Sequence, residues 1–559
     1  MASPAHRRLP RLLPFLLLVP SLVTSLVLAG CPAGREEKTG ATGAGSGGPH
    51  RGGTVVIGWT AGIKSINELV IPSSLLADEV IYRLFLHLVE EQPDYAEHPP
   101  TFAPQLARSY DWSPDHKTLT FHLRDGLTWS DGVPVTAEDV RWTWQAQTDP
   151  QVAWDSSYMK AEIEDVEAVD PHTVRFHFKR VYAKQLLDAN EGAILPQHAW
   201  GKLPFAQWRA SADWFRDREH LVVDGPFTLA SWTPQQEIVL ARNERYYDRS
   251  RPYLDRAVVR IVPDQGNLSS QFFSGAVDFI PQVSPTDAER MQKDPRLALI
   301  AIWGRLCVAL AWNTERPPFD DPEVRRALAI GIDRKTIAET LWGPYARIAT
   351  SPIVGSVWAH DKSIIPWPYD PAEARRLLAA KGFADHDGDG LLDRGGKPLA
   401  FEVISNAGNR QRNDAAVMLQ EQLKKVGVRV TPRVIEFNSL ITETKAGDFD
   451  AAVVGMGMDT SLDLTGNFHS RSVADGSNWA HYKNPELDHL MEQAADRPDV
   501  LAAQGDMNRI QEILHREQPY TYLWESQRLN AVNRRVHGAK PNALFSLFNL
   551  QDWWVEPGR

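Results

Sequence analysis

The stretch DHDGDGLLD, residues 385–393, sets carboxylates at alternate positions around a glycine. Calcium loops place oxygen ligands at positions 1, 3, 5, 7 and 9, with glycine at position 6. Asp385, Asp387, Asp389, the Leu391 carbonyl and Asp393 fill the ligand positions, and Gly390 supplies the turn. Position 12 is Gly396, where a calcium sensor needs a bidentate glutamate. A helix is expected to enter this loop and a strand to leave it, whereas a sensor works by re-angling two helices. The residues therefore suit a structural calcium staple better than a switch. The plainer alternative is a solvated Asp-Gly turn.

A second chemical signal lies at Cys31. Arg7, Arg8 and Arg11 precede an uncharged, mostly apolar run from Leu12 to Leu28, broken by Pro14 and Pro20, and the run ends in LAGC. Order and composition are those of an export signal, and LAGC resembles the bacterial lipobox, in which the cysteine is lipidated and becomes the new N-terminus. Loss of residues 1–30 would remove three Arg and no acid, taking the net charge from −11 to −14. Residues 31–53 then read as a Gly-rich tether with an r.m.s. span of roughly 25 Å. The other cysteine, Cys307, sits in apolar LCVALAW and is expected to be a buried small hydrophobe.

Catalytic spacings are absent from the sequence. There is no phosphate-binding G-x-x-x-x-G-K-[ST], no H-E-x-x-H, no G-x-S-x-G and no C-x-x-C. Paired carboxylates can hydrolyse glycosides without leaving a spacing signature, but a tethered protein without such motifs is more simply a binder. An acidic balance without a basic run argues against nucleic acid as a partner. Nineteen Trp allow an aromatic-lined cleft as well as a well-filled core.

The elements that must position these residues divide the chain. A length of 559 residues favours more than one lobe. TVVIGW (54–59), TLTFHLRDG (118–126), HTVRFHFKR (172–180), TLASW (228–232), EIVLARN (237–243) and AVVRIV (257–262) alternate or run apolar, as strands do. Thr136 with Asp139 three residues on caps a helix over 136–146. Past 305, Asp321-Pro322, Asp333 and Asp370-Pro371 open helices. Strands at 399–405, 428–437 and 449–456 alternate with a helix at 412–426 and another capped by Asn438. That alternation predicts a parallel sheet covered by helices. The expected plan is a first lobe at 54–304 with an inserted β-rich subdomain near 85–215, a second α/β lobe at 305–525, and a segment at 526–559 returning to the first. A cleft between lobes is the natural ligand site.

Several segments converge on one family. FAPQLARSYDWSPDHKTLTFHLRDGLTWSDGVPVTAEDV (102–140), ILPQHAW (194–200), DGPFTLASW (224–232), VRRALAIGIDRKTIAETLWGPYARIATSPI (324–353), YDPAEARRLLAAKGF (369–383) and SNWAHYKNPELDHLMEQA (477–494) run in family order. The chain resembles the bacterial extracellular solute-binding proteins of family 5, with Tyr110 where the family commonly has Trp. The resemblance implies a two-lobed, periplasmic-binding-protein-like fold of the type II, three-subdomain form, with mixed α/β sheets. It implies a monomer that closes on a solute and delivers it to permease subunits served by separate ATPase subunits. It also implies a protein facing the periplasm or the cell exterior, with no catalytic residue and no required cofactor.

In peptide-binding members an Asp after the cleft strand meets the peptide's α-ammonium, and Asp459 falls on that position. Its alternative is to cap a turn. Met456 and Met458 stand in the strand where members often carry Trp, and pliable Met suits an adaptable site. Trp303, Trp312 and Trp479 are candidate cleft aromatics, each with a core position as the alternative. Oligopeptide or dipeptide is the expected ligand. An oligosaccharide, a metal chelate held by His469 near Asp459, or a sensing role without import are the rivals.

Overall fold

The computed structural model describes residues 48–556 except 71–73, 212 and 218. The export signal, Cys31 and most of the tether thus lie outside the described residues. Among the described residues, no helix is long and apolar enough to cross a membrane.

One mixed sheet of 11 strands runs through the body. Its order from one edge is Arg429–Ile435, Ala400–Asn406, Ala451–Gly457, Leu297–Trp312, Tyr520–Asn533, Phe279–Ile280, Thr54–Trp59, Arg256–Ile261, Glu237–Arg242 and Phe227–Thr233, with Ala346–Arg347 added beside Tyr520–Asn533. The expected parallel pairing holds: Ala400–Asn406 lies parallel to both Arg429–Ile435 and Ala451–Gly457. The helix Arg410–Lys424 links the first two.

The two lobes of this type II fold share that sheet, because two long strands cross between them. Leu297–Trp312 and Tyr520–Asn533 pair antiparallel over nearly their whole length, with register shifts between Trp303 and Cys307 and between Val308 and Ala309. An extra residue in one strand bends it and raises its twist. Beyond the first shift, side chains alternate cleanly. Cys307, Ala309 and Ala311 face one apolar layer, and Val308, Leu310 and Trp312 face the other. A strand covered on both faces reads as a continuous apolar run, and LCVALAW is one. A separate four-stranded sheet, Ala107–Trp112, Thr118–Leu123, Thr173–Phe178 and Ile163–Asp170, forms the β-rich part of the first half.

Helix starts follow their caps. Asp370 accepts from the amides of Ala372 and Glu373, and Pro371 occupies the first turn. Asp321 and Asp333 cap in the same way, and Thr136 with Asp139 forms a capping box. One cap differs from expectation. The helix Phe437–Ala446 is capped by the Glu436 side chain, which accepts from the Ser439 amide, so Asn438 lies inside it. Gly427, at φ +87°, makes the left-handed turn after Arg410–Lys424 that a side chain would strain.

Candidate functional site

A cavity of about 200 Å³ opens where the halves of the chain meet. Tyr82, Arg83, His87, Val89, Glu90, Glu91 and Gln105 supply one wall; Met159, Leu187, Asp188, Asn190 and Glu191 supply the floor. Arg305, at the register shift of the crossing strand, and Asp459, Thr460 and Ser461 supply the opposite wall. Leu544, Phe545 and Phe548 add an apolar edge.

Local hydrogen bonds set each wall. The carboxamide of Asn190 clamps the short strand Val89–Glu91, accepting from the Val89 amide at 2.9 Å and donating to its carbonyl at 3.0 Å. Gln105, within the signature segment, accepts from the His87 amide at 2.6 Å. His87 is 4% exposed and stacks on Tyr82 at 4.2 Å. Burial pushes its imidazole down to about 3, so the ring is neutral. Arg83 donates to the Phe548 carbonyl, and its charge faces buried Glu79, which accepts from the Ser546 and Leu547 amides.

The titratable lining is lopsided. Glu90, Glu91, Asp188, Glu191 and Asp459 face two guanidiniums, Arg83 and Arg305. Burial first, then repulsion from Asp459, Glu91 and Asp188, pushes Glu191 up to about 7, although Lys160 opposes it. Burial likewise raises Glu91, with Asp459 adding to the rise, and Asp188 is pushed up to about 6. The Lys160 ammonium lies behind this floor. It is 2% exposed and donates to the main-chain carbonyls of Asp188 and Glu191 at 2.5 and 2.8 Å. Acceptors and donors converge on a void, the lining that a polar ligand needs.

Of the residues singled out in the sequence, the structure places Asp459 on the cavity wall. Its Oδ1 also accepts from the amide and hydroxyl of Ser461 at 3.0 and 2.5 Å, so it shapes the turn as well. Met456 and Met458 do not join it. They are 3% and 5% exposed and pack, with Val454 and Ala452, beneath helices on one face of the sheet. Trp312 is likewise a core residue. It projects to the opposite face, its indole N–H donates to Thr521 at 2.9 Å, and its ring stacks on Phe319. Trp479 packs against the Met456 layer, and Trp303 carries Arg347 over its ring at 4.1 Å. His469 lies beside Asp488 and Glu492, away from the cavity lining.

The expected calcium ligands are divided. Asp385, Asp387 and Asp389 bring carboxylate oxygens within 4.8 Å of one another. Each accepts an amide of its own loop: Asp385 from Gly388 and Gly390, Asp387 from Asp389, and Asp389 from Leu391. Asp393 turns instead to His386, at 2.9 Å from its Nδ1.

Glu91, Asp188, Glu191 and Arg305 went unread in the sequence. Glu91, Asp188 and Glu191 lie in or beside short elements, Val89–Glu91 and Gln185–Asn190, with no periodicity to mark them. Only Arg305, a charge interrupting the apolar crossing strand, left a trace.

The family model "Bacterial extracellular solute-binding proteins, family 5 Middle" matches residues 101–478. Oligopeptide-binding protein AppA of Bacillus subtilis is 28% identical over 542 residues, 96% of this chain and 97% of that protein. Its structure in complex with a nonapeptide aligns with a TM-score of 0.76 over 91% of this chain and 100% of that one. Di/tripeptide-binding protein 2 of Pseudomonas aeruginosa is 28% identical over 78% of this chain and 84% of that protein. Heme-binding protein A of Haemophilus influenzae is 27% identical over 78% and 81%.

Proposed function

Because the chain belongs to the bacterial extracellular solute-binding proteins of family 5, we propose that it captures a peptide in the cavity between its lobes. It then presents the peptide to the permease subunits of an importer driven by separate ATPase subunits. The observation that carries this reading is Asp459 on the cavity wall, with Glu91 and Glu191 in the same electrostatic neighbourhood. Carboxylates crowded along one cavity are stabilised by a cation brought among them, and a peptide α-ammonium is such a cation. Relatives of matching length named for oligopeptides and di/tripeptides support the same ligand class.

The reading extends to the rest of the chain. The protein is exported, lipidated at Cys31 and held at a membrane by its Gly-rich tether. It acts as a monomer and has no catalytic step of its own. Native mass spectrometry of protein purified without added ligand is the test, and co-purifying peptides are the expected result. A thermal shift with oligosaccharides and none with a peptide library would sink the peptide assignment. Palmitate labelling that survives Cys31→Ala would sink the lipid anchor.

A further inference from the structure

More carboxyl groups line the cavity than one peptide N-terminus can pair with. Arg83 is committed to Glu79 and to the Phe548 carbonyl. Lys184 is committed to Asp463 at 2.8 Å. Lys160 is fixed on main-chain carbonyls beneath the floor and serves Glu191 and Asp188 together. Glu91 meets the Thr460 side chain and the charge of Arg305. What remains is a triangle of carboxylates, Glu91, Glu191 and Asp459, each close enough to another to repel it.

One atom marks where compensation is missing. Glu91 Oε1 is buried, and it has no hydrogen-bond partner among the described residues. A buried carboxylate oxygen left unpaired is costly, and the cost is removed when a ligand donor reaches it. Asp459 differs, since Ser461 already satisfies one of its oxygens. An α-ammonium at Asp459 still leaves Glu91 Oε1 without a donor.

We infer that the preferred ligand is a peptide carrying a second positive charge, a Lys or Arg side chain within its first three residues, whose cationic head is received by Glu91 and Glu191 while its α-ammonium meets Asp459. The inference rests on the peptide reading and narrows it. A long basic side chain suits this geometry because its methylene stem can lie along Leu187 and Met159 while its head reaches the carboxylates. A neutral side chain would leave Glu91 Oε1 without a donor and Glu191 holding its proton, whereas a cationic head supplies the donor and favours the ionised carboxylates.

The test is calorimetric titration of the full-length mature protein with matched alanine-based peptides of three, five and nine residues. Lys, norleucine or Glu is placed at position 1, 2 or 3. Norleucine keeps the stem and removes the charge. The expected result is that Lys at one of these positions binds at least about tenfold tighter than norleucine there, and that Glu binds more weakly than either. In Glu91→Gln the Lys-to-norleucine ratio is expected to collapse toward one. Equal affinity for Lys and norleucine peptides at every position overturns the inference while the peptide reading stands. Peptides of every charge failing to bind would overturn the peptide reading itself, and this inference with it. A Lys preference that survives unchanged in both Glu91→Gln and Glu191→Gln overturns the assignment to these carboxylates.

Discussion

Asp459 and Glu191 show how single residues set what the cavity accepts. Asp459→Asn keeps the turn at Ser461 but removes the charge. It is expected to weaken peptides with a free N-terminus by about tenfold or more, and N-acetylated ones far less; equal losses would take Asp459 out of the amine-binding role. Glu191 gives a pH prediction. Its carboxyl sits at about 7 in the fold against 4.5 ordinarily, so between those values the folded state keeps a proton that the unfolded chain has released. Stability of the ligand-free protein therefore falls as pH rises from about 4.5 to 7. Glu68, near 7, and Glu79, near 6, act in the same direction. Thermal unfolding should show a lower Tm at pH 7.5 than at pH 5, with a shallower fall in Glu191→Gln. His87, held neutral in the fold, acts in the opposite direction below about 6.5, so a slope unchanged in Glu191→Gln is the result that would contradict the protonated carboxyl. At the Asp-rich loop, three converging carboxylates stand where five ligands were expected. Calcium calorimetry with Asp387→Ala as control decides between an ion and a self-capped turn.

At the scale of elements, the sequence was most readable where local chemistry acts alone. Asp370-Pro371, Asp321-Pro322 and the Thr136–Asp139 box open helices because a side-chain oxygen satisfies free amides whatever the tertiary surroundings. Asp370→Ala should cost about 1 kcal/mol in chemical denaturation, with ligand affinity little changed. Strand faces were less readable. In a strand covered on both sides, apolar content hides which residue points where. Met456 and Trp312 thus remain candidates for cleft or core on sequence alone, and strand pairing sends them into opposite core layers. Trp312→Ala should accordingly cost about 3–5 kcal/mol of stability, read from the denaturant midpoint, because it empties a filled layer. The cavity acids stayed hidden for a related reason. Glu91 and Glu191 are 100 positions apart in the chain and meet only through the clamp of Asn190 on Val89.

For the whole molecule, contacts from the β-rich part to the second lobe bear on closure. Lys184 meets Asp463 at 2.8 Å, Arg180 meets Asp496, and the Ala183 amide donates to the Ala495 carbonyl at 3.2 Å. Burial works against the Lys184 charge, yet Asp463 and Asp188 raise its pKa, and Lys184 in turn lowers that of Asp463. The pair thus stays ionised across neutral pH. Lys184→Met should raise the dissociation constant about tenfold through faster release, since the pair joins two parts of the chain and lies outside the cavity lining. Stopped-flow release and small-angle scattering would check it, and unchanged release would remove Lys184–Asp463 from closure.

The crossing strands also set the order in which the chain can become a protein. Leu297–Trp312 has its central partner in Tyr520–Asn533, more than 200 residues later in synthesis. The same late strand bonds Phe279–Ile280 of the first lobe. Until it emerges, both halves carry an unpaired sheet edge, and an open edge invites wrong partners. Contacts this distant in sequence form slowly, because a long loop must close before they bring any stability. Most of the chain must therefore wait, unfinished and prone to aggregation, for one strand that completes both lobes at once.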